Sequence, residues 1–188
     1  MIRADSSLID GAFVVCTALD AAGITAILCG GSAATFYAPE AYMSADADFV
    51  MTVDIPLAEV SPILARLGFR REGRIYVHEL ATEWSVDFPP GPLAIGRDFI
   101  TEWRTVKRGH ELLHVISALD AVRDRFMHYL AWNDYSGLTT AVSVARAQRD
   151  SIDLDALRAW TELELKETPV YERKRVEALF KALRKQRL

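Results

Sequence analysis

Two short stretches decide the fold: Ile24-Thr25-Ala26-Ile27-Leu28-Cys29-Gly30-Gly31-Ser32, and, after a gap, Ser44-Ala45-Asp46-Ala47-Asp48-Phe49-Val50. The apolar run from Ile24 to Cys29 predicts a short buried strand, and Ala33 to Tyr37 predicts a short helix. The glycines and the serine therefore form the turn between a strand and a helix. Glycine lets the backbone approach a ligand closely, and the free amides at a helix start attract phosphate. We expect Gly30, Gly31 and Ser32 to hold a triphosphate.

The second stretch places two carboxylates on one side of an extended segment. Asp46 and Asp48 are two residues apart, so they project together while Ala47 and Phe49 face the core. Two carboxylates that face the same side repel each other unless a cation joins them. A hard divalent ion such as Mg²⁺ takes oxygen ligands and also bridges substrate phosphates. The pair therefore predicts a magnesium site beside the glycine turn.

A third acid stands on a later predicted strand. Val86-Asp87-Phe88 places Asp87 between two apolar residues. If that strand neighbours the one that contains Asp48, three carboxylates converge. In phosphoryl transfer with two metal ions, such an acid binds the second ion or acts as base on the attacking hydroxyl.

The rest of the chain predicts an α+β fold. Further strands are expected at Phe49 to Val53, Ile75 to Leu80, Trp84 to Phe88 and Leu112 to Ile116. Helices are expected at Ser7 to Ala22, Pro56 to Leu67, Ala118 to Trp132, Leu138 to Gln148, Leu154 to Leu165 and Tyr171 to Arg187. Because only helical spacing follows Ser117, we expect an α/β core over residues 1–116 and an all-helical C-terminal subdomain over residues 117–188.

The composition limits the class of protein to which the chain could belong. The chain has 188 residues, of which 51% are hydrophobic and 26% charged, a balance typical of one compact fold. The two cysteines, Cys16 and Cys29, lie in apolar runs, which favours buried thiols and a reducing cytoplasm over a disulfide framework. No apolar run approaches the roughly 18 uncharged residues of a membrane span. Residues 1–100 carry 6 Lys and Arg against 13 Asp and Glu, so the first half suits a metal better than a polyanion.

The order Gly31-Ser32, short helix, Asp46 with Asp48, and Asp87 on a later strand resembles one known pattern. It is similar to the polymerase-β-type nucleotidyltransferase superfamily, in particular to small prokaryotic members related to abortive-infection toxin nucleotidyltransferases. The likeness covers about residues 24–92, and the later runs Asp124-Arg125 and Trp132-Asn133-Asp134 look like the helical extension of such proteins. Many relatives have a basic residue shortly before the Asp pair, where this chain has Tyr42-Met43-Ser44.

The resemblance implies a nucleotidyltransferase-like mixed sheet flanked by helices. It also implies an enzyme that transfers a nucleoside monophosphate from an NTP, either ATP or GTP, to an acceptor with Mg²⁺ bound. Asp46, Asp48 and Asp87 would be the catalytic and metal-binding residues. The acceptor is open among tRNA, a protein hydroxyl and a small molecule, and a toxin-antitoxin-type enzyme with an antitoxin partner is one form of this expectation. A catalytically silent nucleotide-binding or regulatory module on the same fold is the alternative.

Three other features have competing interpretations. His110-Glu111-Leu112-Leu113-His114 matches the zinc protease pattern, but a turn precedes it and Leu112 to Ile116 favours a strand, on which the two histidines stand too far apart to share an ion. The basic residues of the last helix, from Arg173 to Arg187, favour a docked helix with a solvated face over an RNA-binding surface. Arg125 forms either a buried ion pair or a contact to the triphosphate.

Overall fold

The computed structural model describes residues 1–185. Its helices are α1 (Leu8–Ala21), α2 (Gly30–Tyr37), α3 (Leu57–Arg66), α4 (Ala118–Trp132), α5 (Tyr135–Ala147), α6 (Leu154–Glu167) and α7 (Arg173–Arg184). Its strands are β1 (Ala26–Cys29), β2 (Asp46–Met51), β3 (Phe69–Glu72), β4 (Ile75–His78), β5 (Ser85–Asp87), β6 (Ala94–Ile95), β7 (Asp98–Phe99), β8 (Arg104–Arg108) and β9 (Glu111–Val115). The end of the predicted last helix, at Arg187, lies outside the described residues.

Seven strands form one mixed sheet in the order β3-β4-β5-β2-β1-β9-β8. Strand β2 runs antiparallel to β1 and parallel to β5, and β1 runs parallel to β9. Strands β6 and β7 form a separate antiparallel hairpin. The mixed sheet, its flanking helices and the helical end of the chain confirm the expected α+β class.

The strands that the sequence does not predict are the exposed or very short ones. Three of the four residues of β3 are exposed, and four of the five residues of β8 are exposed. Both are edge strands, whose outward side chains show no apolar alternation for a pattern search to find. Several bounds also differ from expectation. Strand β2 begins at Asp46 instead of Phe49, and α2 begins at Gly30 instead of Ala33, so the two glycines and Ser32 form the first turn of the helix. Helix α5 begins at Tyr135 because Asp134 caps it, and α7 begins at Arg173.

Helix α2 joins the sheet to the helices at the end of the chain. It packs against β1 and β2, and it also contacts α4 and α5. A close approach of α4 and α5 is possible because position 137 is glycine, where a Cβ would lie 2.6 Å from the Arg125 carbonyl oxygen. The buried apolar side chains of both halves form one cluster. The division at residue 117 stays a prediction.

None of the helices in residues 1–185 is both long and apolar enough to cross a bilayer.

Candidate functional site

Gly30 begins α2 directly after β1 and fits its position for two reasons. Its φ is +61°, in the left-handed region that favours glycine. A Cβ at this position would overlap the carboxylate of Asp48. The backbone turn therefore brings the start of α2 against a carboxylate of β2, as the sequence predicts for a site of close backbone approach.

Gly31 is packed against the segment that precedes the Asp pair. A Cβ here would lie 2.7 Å from Ser44 Oγ and 3.0 Å from Tyr42 Oη. The Ser44 hydroxyl donates to Asp46 Oδ1 at 3.1 Å. In the place where many nucleotidyltransferases have a basic residue, this segment orients Asp46 through a hydroxyl and adds no positive charge.

Ser32 is fully buried, and its hydroxyl is used inside the protein. It donates to the Cys29 carbonyl at 2.7 Å and accepts from the Asp48 amide at 3.1 Å. These two bonds hold the end of β1 and the Asp48 backbone in one arrangement. The structure thus places Ser32 as a positioning residue for Asp48, and its contact with a triphosphate stays a prediction.

The three aspartates lie on two adjacent parallel strands. Asp46 and Asp48 are half-buried on β2, while Ala47 and Phe49 between and after them are buried. In the register of β2 and β5, Asp48 lies opposite Asp87. Paired residues in neighbouring strands share a face of the sheet, so both carboxylates lie on the same side.

Crowding of negative charge changes the acidity of Asp48. Its pKa is raised to about 7, chiefly by burial and further by the charges of Asp46 and Asp87, while the charge of Arg125 acts in the opposite direction. Each of these effects follows from the cost of placing a carboxylate charge in a partly dry, already acidic environment. The site therefore has more negative charge than its own cations balance.

Asp87 is balanced by an arginine that the sequence analysis did not select. Arg74 Nη2 donates to Asp87 Oδ2 at 2.6 Å, and the Phe88 amide donates to Asp87 Oδ1 at 2.9 Å. Asp87 is buried, whereas the Arg74 side chain is 82% exposed. Arg74 stands in the turn after β3, immediately before β4, which pairs with β5. The missed edge strand β3 is the reason that sequence reasoning overlooked it.

Arg125 lies on α4 and forms the ion pair that was one of its two expected relationships. It forms an ion pair with Asp124 at 2.7 Å and donates to His128 Nε2 at 3.1 Å. Its charge also lowers the pKa of Asp48. Arg125 is thus a largely buried ion-paired residue whose field reaches the carboxylates of β2, and its contact to a triphosphate stays a prediction.

The carboxylates can be judged as ligands for a divalent cation. Within residues 1–185, no group of three or more His, Cys, Asp or Glu side chains is arranged as a ready metal site. The donor chemistry of Asp46 and Asp48 nevertheless fits Mg²⁺, because both offer hard oxygens from one side of a strand. Asp87 could serve as a further metal ligand only if Arg74 moved away from its carboxylate.

The protease pattern does not lie on a helix. His110 is in the turn of the β8–β9 hairpin, and Glu111 begins β9. Glu111 pairs with Arg108, and His114 contacts Thr105 and Asp20. The two histidines therefore lack the shared helical face that a zinc protease of this pattern requires.

The last helix is docked through its apolar face. Val176, Leu179 and Phe180 are buried. Arg175 Nη1 donates to the carbonyls of Tyr129 and Leu130 at the end of α4. These contacts support the docked interpretation for the described part of the helix.

Comparisons with known proteins agree with this architecture. No protein-family model and no curated protein sequence matches the chain. An antigenic nucleotidyltransferase-like protein from Paracoccidioides brasiliensis superimposes with a TM-score of 0.61 at 14% identity, over 96% of this chain and 94% of that one. The antibiotic-resistance factor ANT(2'')-Ia superimposes with a TM-score of 0.52 at 16% identity, over 81% of this chain and 90% of that one. At these identities the likeness concerns the fold, and the chain has a nucleotidyltransferase-like fold.

Proposed function

We propose that the protein transfers a nucleoside monophosphate from an NTP to an acceptor hydroxyl. The observation that supports this most is the placement of Asp46, Asp48 and Asp87 on one face of β2 and β5, beside the glycine turn that begins α2. The nucleotidyltransferase-like fold of the chain is consistent with it. The Mg²⁺ dependence, the choice of ATP or GTP and the residue roles below belong to this proposal.

Asp46 and Asp48 would hold Mg²⁺, which neutralises triphosphate charge and polarises the phosphorus under attack. The Ser44 hydroxyl orients the Asp46 carboxylate, and the Ser32 hydroxyl holds the Asp48 backbone amide. The two aspartates are therefore preorganised. The first amides of α2, at Gly30 and Gly31, would bind phosphate oxygens. Arg125, whose charge lowers the pKa of Asp48, would add positive charge to the nucleotide site.

Asp87 would serve as the general base. In the transfer step the acceptor hydroxyl oxygen attacks the α-phosphorus and its proton passes to a carboxylate oxygen of Asp87. The bond from that phosphorus to the β-phosphate oxygen breaks, and pyrophosphate leaves. Arg74 holds Asp87 in place before substrate binds, and its exposed guanidinium is free to turn toward phosphate oxygens when Asp87 takes the proton.

The acceptor would be tRNA, a protein hydroxyl or a small molecule. A role as the toxin of a toxin-antitoxin-type pair, related to abortive-infection nucleotidyltransferases and restrained by an antitoxin, is the finer form of the proposal. Incubation of the protein with each α-labelled NTP, Mg²⁺ and a cell extract tests it, because label that enters RNA, protein or a small molecule identifies the acceptor class. The matched control is Asp48→Asn, which removes one metal ligand and keeps the shape of the side chain.

A catalytically silent nucleotide-binding module is the second candidate. The ion pair between Arg74 and Asp87 favours it, because a base that is already paired with a cation is a weaker proton acceptor. Nucleotide binding without transfer of label to any acceptor would support this candidate over the enzyme.

A further inference from the structure

A second concave site lies beside helix α4. A cavity of about 310 Å³ opens between the β6–β7 hairpin, helix α4 and helix α6, with Tyr171 at one side. This volume is at the lower end of the range for small-molecule sites. The proposed transfer reaction makes no use of this cavity.

Glu164 of α6 is the most unusual group in its wall. The residue is only 2% exposed, and its Oε1 accepts from the Arg97 amide at 3.2 Å. Among the described residues, its Oε2 has no hydrogen-bond partner and Glu164 forms no ion pair. A buried carboxylate oxygen that has lost water and gained no donor is destabilising, which points to a donor that binds from outside the chain.

The hairpin is shaped around this carboxylate. Gly96, in the turn between β6 and β7, has a φ of +59°. A Cβ at Gly96 would lie 2.6 Å from Glu164 Oε1 and 2.8 Å from its Cδ. Both the backbone conformation and the close approach require glycine at position 96. The hairpin therefore packs directly against the Glu164 carboxylate.

The remaining wall is aromatic and apolar. The rings of His128 and Trp132 on α4 stand edge to face with centroids 5.1 Å apart, and Met127 and Tyr171 add apolar surface. Trp132 is 72% exposed, so its ring is accessible from solvent. Burial and the charge of Arg125 lower the pKa of His128, so this ring is neutral at pH 7 and does not repel a cation. Aromatic faces attract cations.

The other charges at this cavity balance each other or are exposed. Asp124 lines the cavity and is paired with Arg125. Arg97 lies at the rim with an exposed side chain. Glu164 is therefore the group in the wall whose charge has no partner.

We propose that this cavity binds an organic cation with a primary ammonium group, which donates to Glu164 Oε2 while its carbon skeleton lies against Trp132 and Tyr171. The ammonium supplies both the missing donor and the missing positive charge. The test measures binding of the cation alone, so it does not depend on nucleotide transfer.

The experiment uses phenethylamine as the probe and 2-phenylethanol as its uncharged counterpart of similar shape. Titration calorimetry at pH 7 on the full chain measures binding of each. We expect the amine to bind at one site, at least about tenfold more tightly than the alcohol, and to lose at least about tenfold in affinity in Glu164→Gln. Glu162→Gln, a change on the same helix at a surface ion pair with Arg173, should leave the affinity unchanged.

Two results would overturn the proposal. Equal or absent binding of amine and alcohol to the wild type means that no cation site exists, and unchanged amine binding in Glu164→Gln means that Glu164 is a structural carboxylate only. If Glu164→Gln does not fold, Trp132→Ala decides, because this exposed side chain can be removed without opening the core. Its amine affinity should fall by at least about threefold, and an unchanged affinity contradicts the proposal.

Discussion

Asp48 on β2 and Asp87 on β5 lie opposite each other in a parallel register, yet only Asp87 has a cation of its own. Arg74 pairs with Asp87, whereas Asp48 is close to two other acids and forms no ion pair within residues 1–185, and the charge of Arg125 lowers its pKa. This asymmetry is consistent with the two proposed roles, in which Asp87 accepts a proton and Asp48 binds a cation.

The raised pKa of Asp48 predicts a pH dependence of stability. Its folded pKa of about 7 lies above the ordinary value of 3.8, so the folded state binds a proton that the unfolded state releases. The free energy of unfolding should therefore fall as pH rises from about 4 to about 7 and level off above that range. Thermal unfolding of the metal-free protein across this range measures it.

The control for this pH dependence is Asp48→Asn, which cannot ionise. Its unfolding midpoint should fall less between pH 4 and 7 than that of the wild type. Added Mg²⁺ should also reduce the wild-type fall, because the cation favours the charged form. A wild-type midpoint that rises with pH while the variant's stays flat would contradict the assigned direction.

In the proposed site, Arg74 would compete with a divalent cation for Asp87. We expect Arg74→Ala to lower the unfolding midpoint without metal, because the buried Asp87 loses its partner, and to increase the shift that Mg²⁺ produces. Arg70→Ala is the matched control, since Arg70 is also exposed in β3 and pairs with an exposed acid, Glu72. An equal Mg²⁺ response in both variants would show that Arg74 does not restrain the site.

The glycine turn is predicted to tolerate no side chain at Gly30. Gly30→Ala should lower the free energy of unfolding by about 2 to 5 kcal/mol, because it combines left-handed strain with overlap of Asp48. Gly23→Ala isolates the strain, since Gly23 has a φ of +78° and nothing within 4 Å of its Cβ position. That change should cost about 1 to 2 kcal/mol. Chemical denaturation measures both, and equal losses would mean that Asp48 makes no close approach.

Much of the site could be predicted because its signals are local. The Gly-Gly-Ser turn follows an apolar run, and Asp46 and Asp48 have the spacing of one strand face. Local spacing also favours a strand from Leu112 to Ile116, and the structure confirms a strand there, β9, which spans Glu111–Val115. The sequence suggested Asp87 only conditionally, since its position opposite Asp48 depends on which strands pair.

The rest depends on contacts between distant parts of the chain. Arg74 reaches Asp87 from an edge hairpin whose polar strand has no apolar period, and Ser32 turns out to hold Asp48 in place. Glu164 is one of several acids on an amphipathic helix, and nothing local marks it as buried. Its environment comes from Gly96, far away in sequence, so tertiary packing alone reveals it.

The last helix is predicted to contribute stability through Arg175. Arg175→Met keeps the apolar stem and removes the bonds to the end of α4, so it should cost about 1 to 3 kcal/mol. Arg173→Met, which removes only a surface pair with Glu162, should cost less. Binding of tRNA that weakens steeply with salt and disappears in Arg184→Glu with Lys185→Glu would instead favour an RNA surface.

In the proposed function, Asp46, Asp48 and the glycine turn bind an NTP together with Mg²⁺. Thermal unfolding of the wild type and of Asp48→Asn, each with and without Mg²⁺ and ATP or GTP, measures this binding. The wild type should gain stability from at least one nucleotide with Mg²⁺. The variant should keep or gain stability without ligand, because a repelling charge is removed, and should lose the ligand-dependent gain. A wild type that gains nothing from any NTP, together with a variant that melts earlier, would contradict the account.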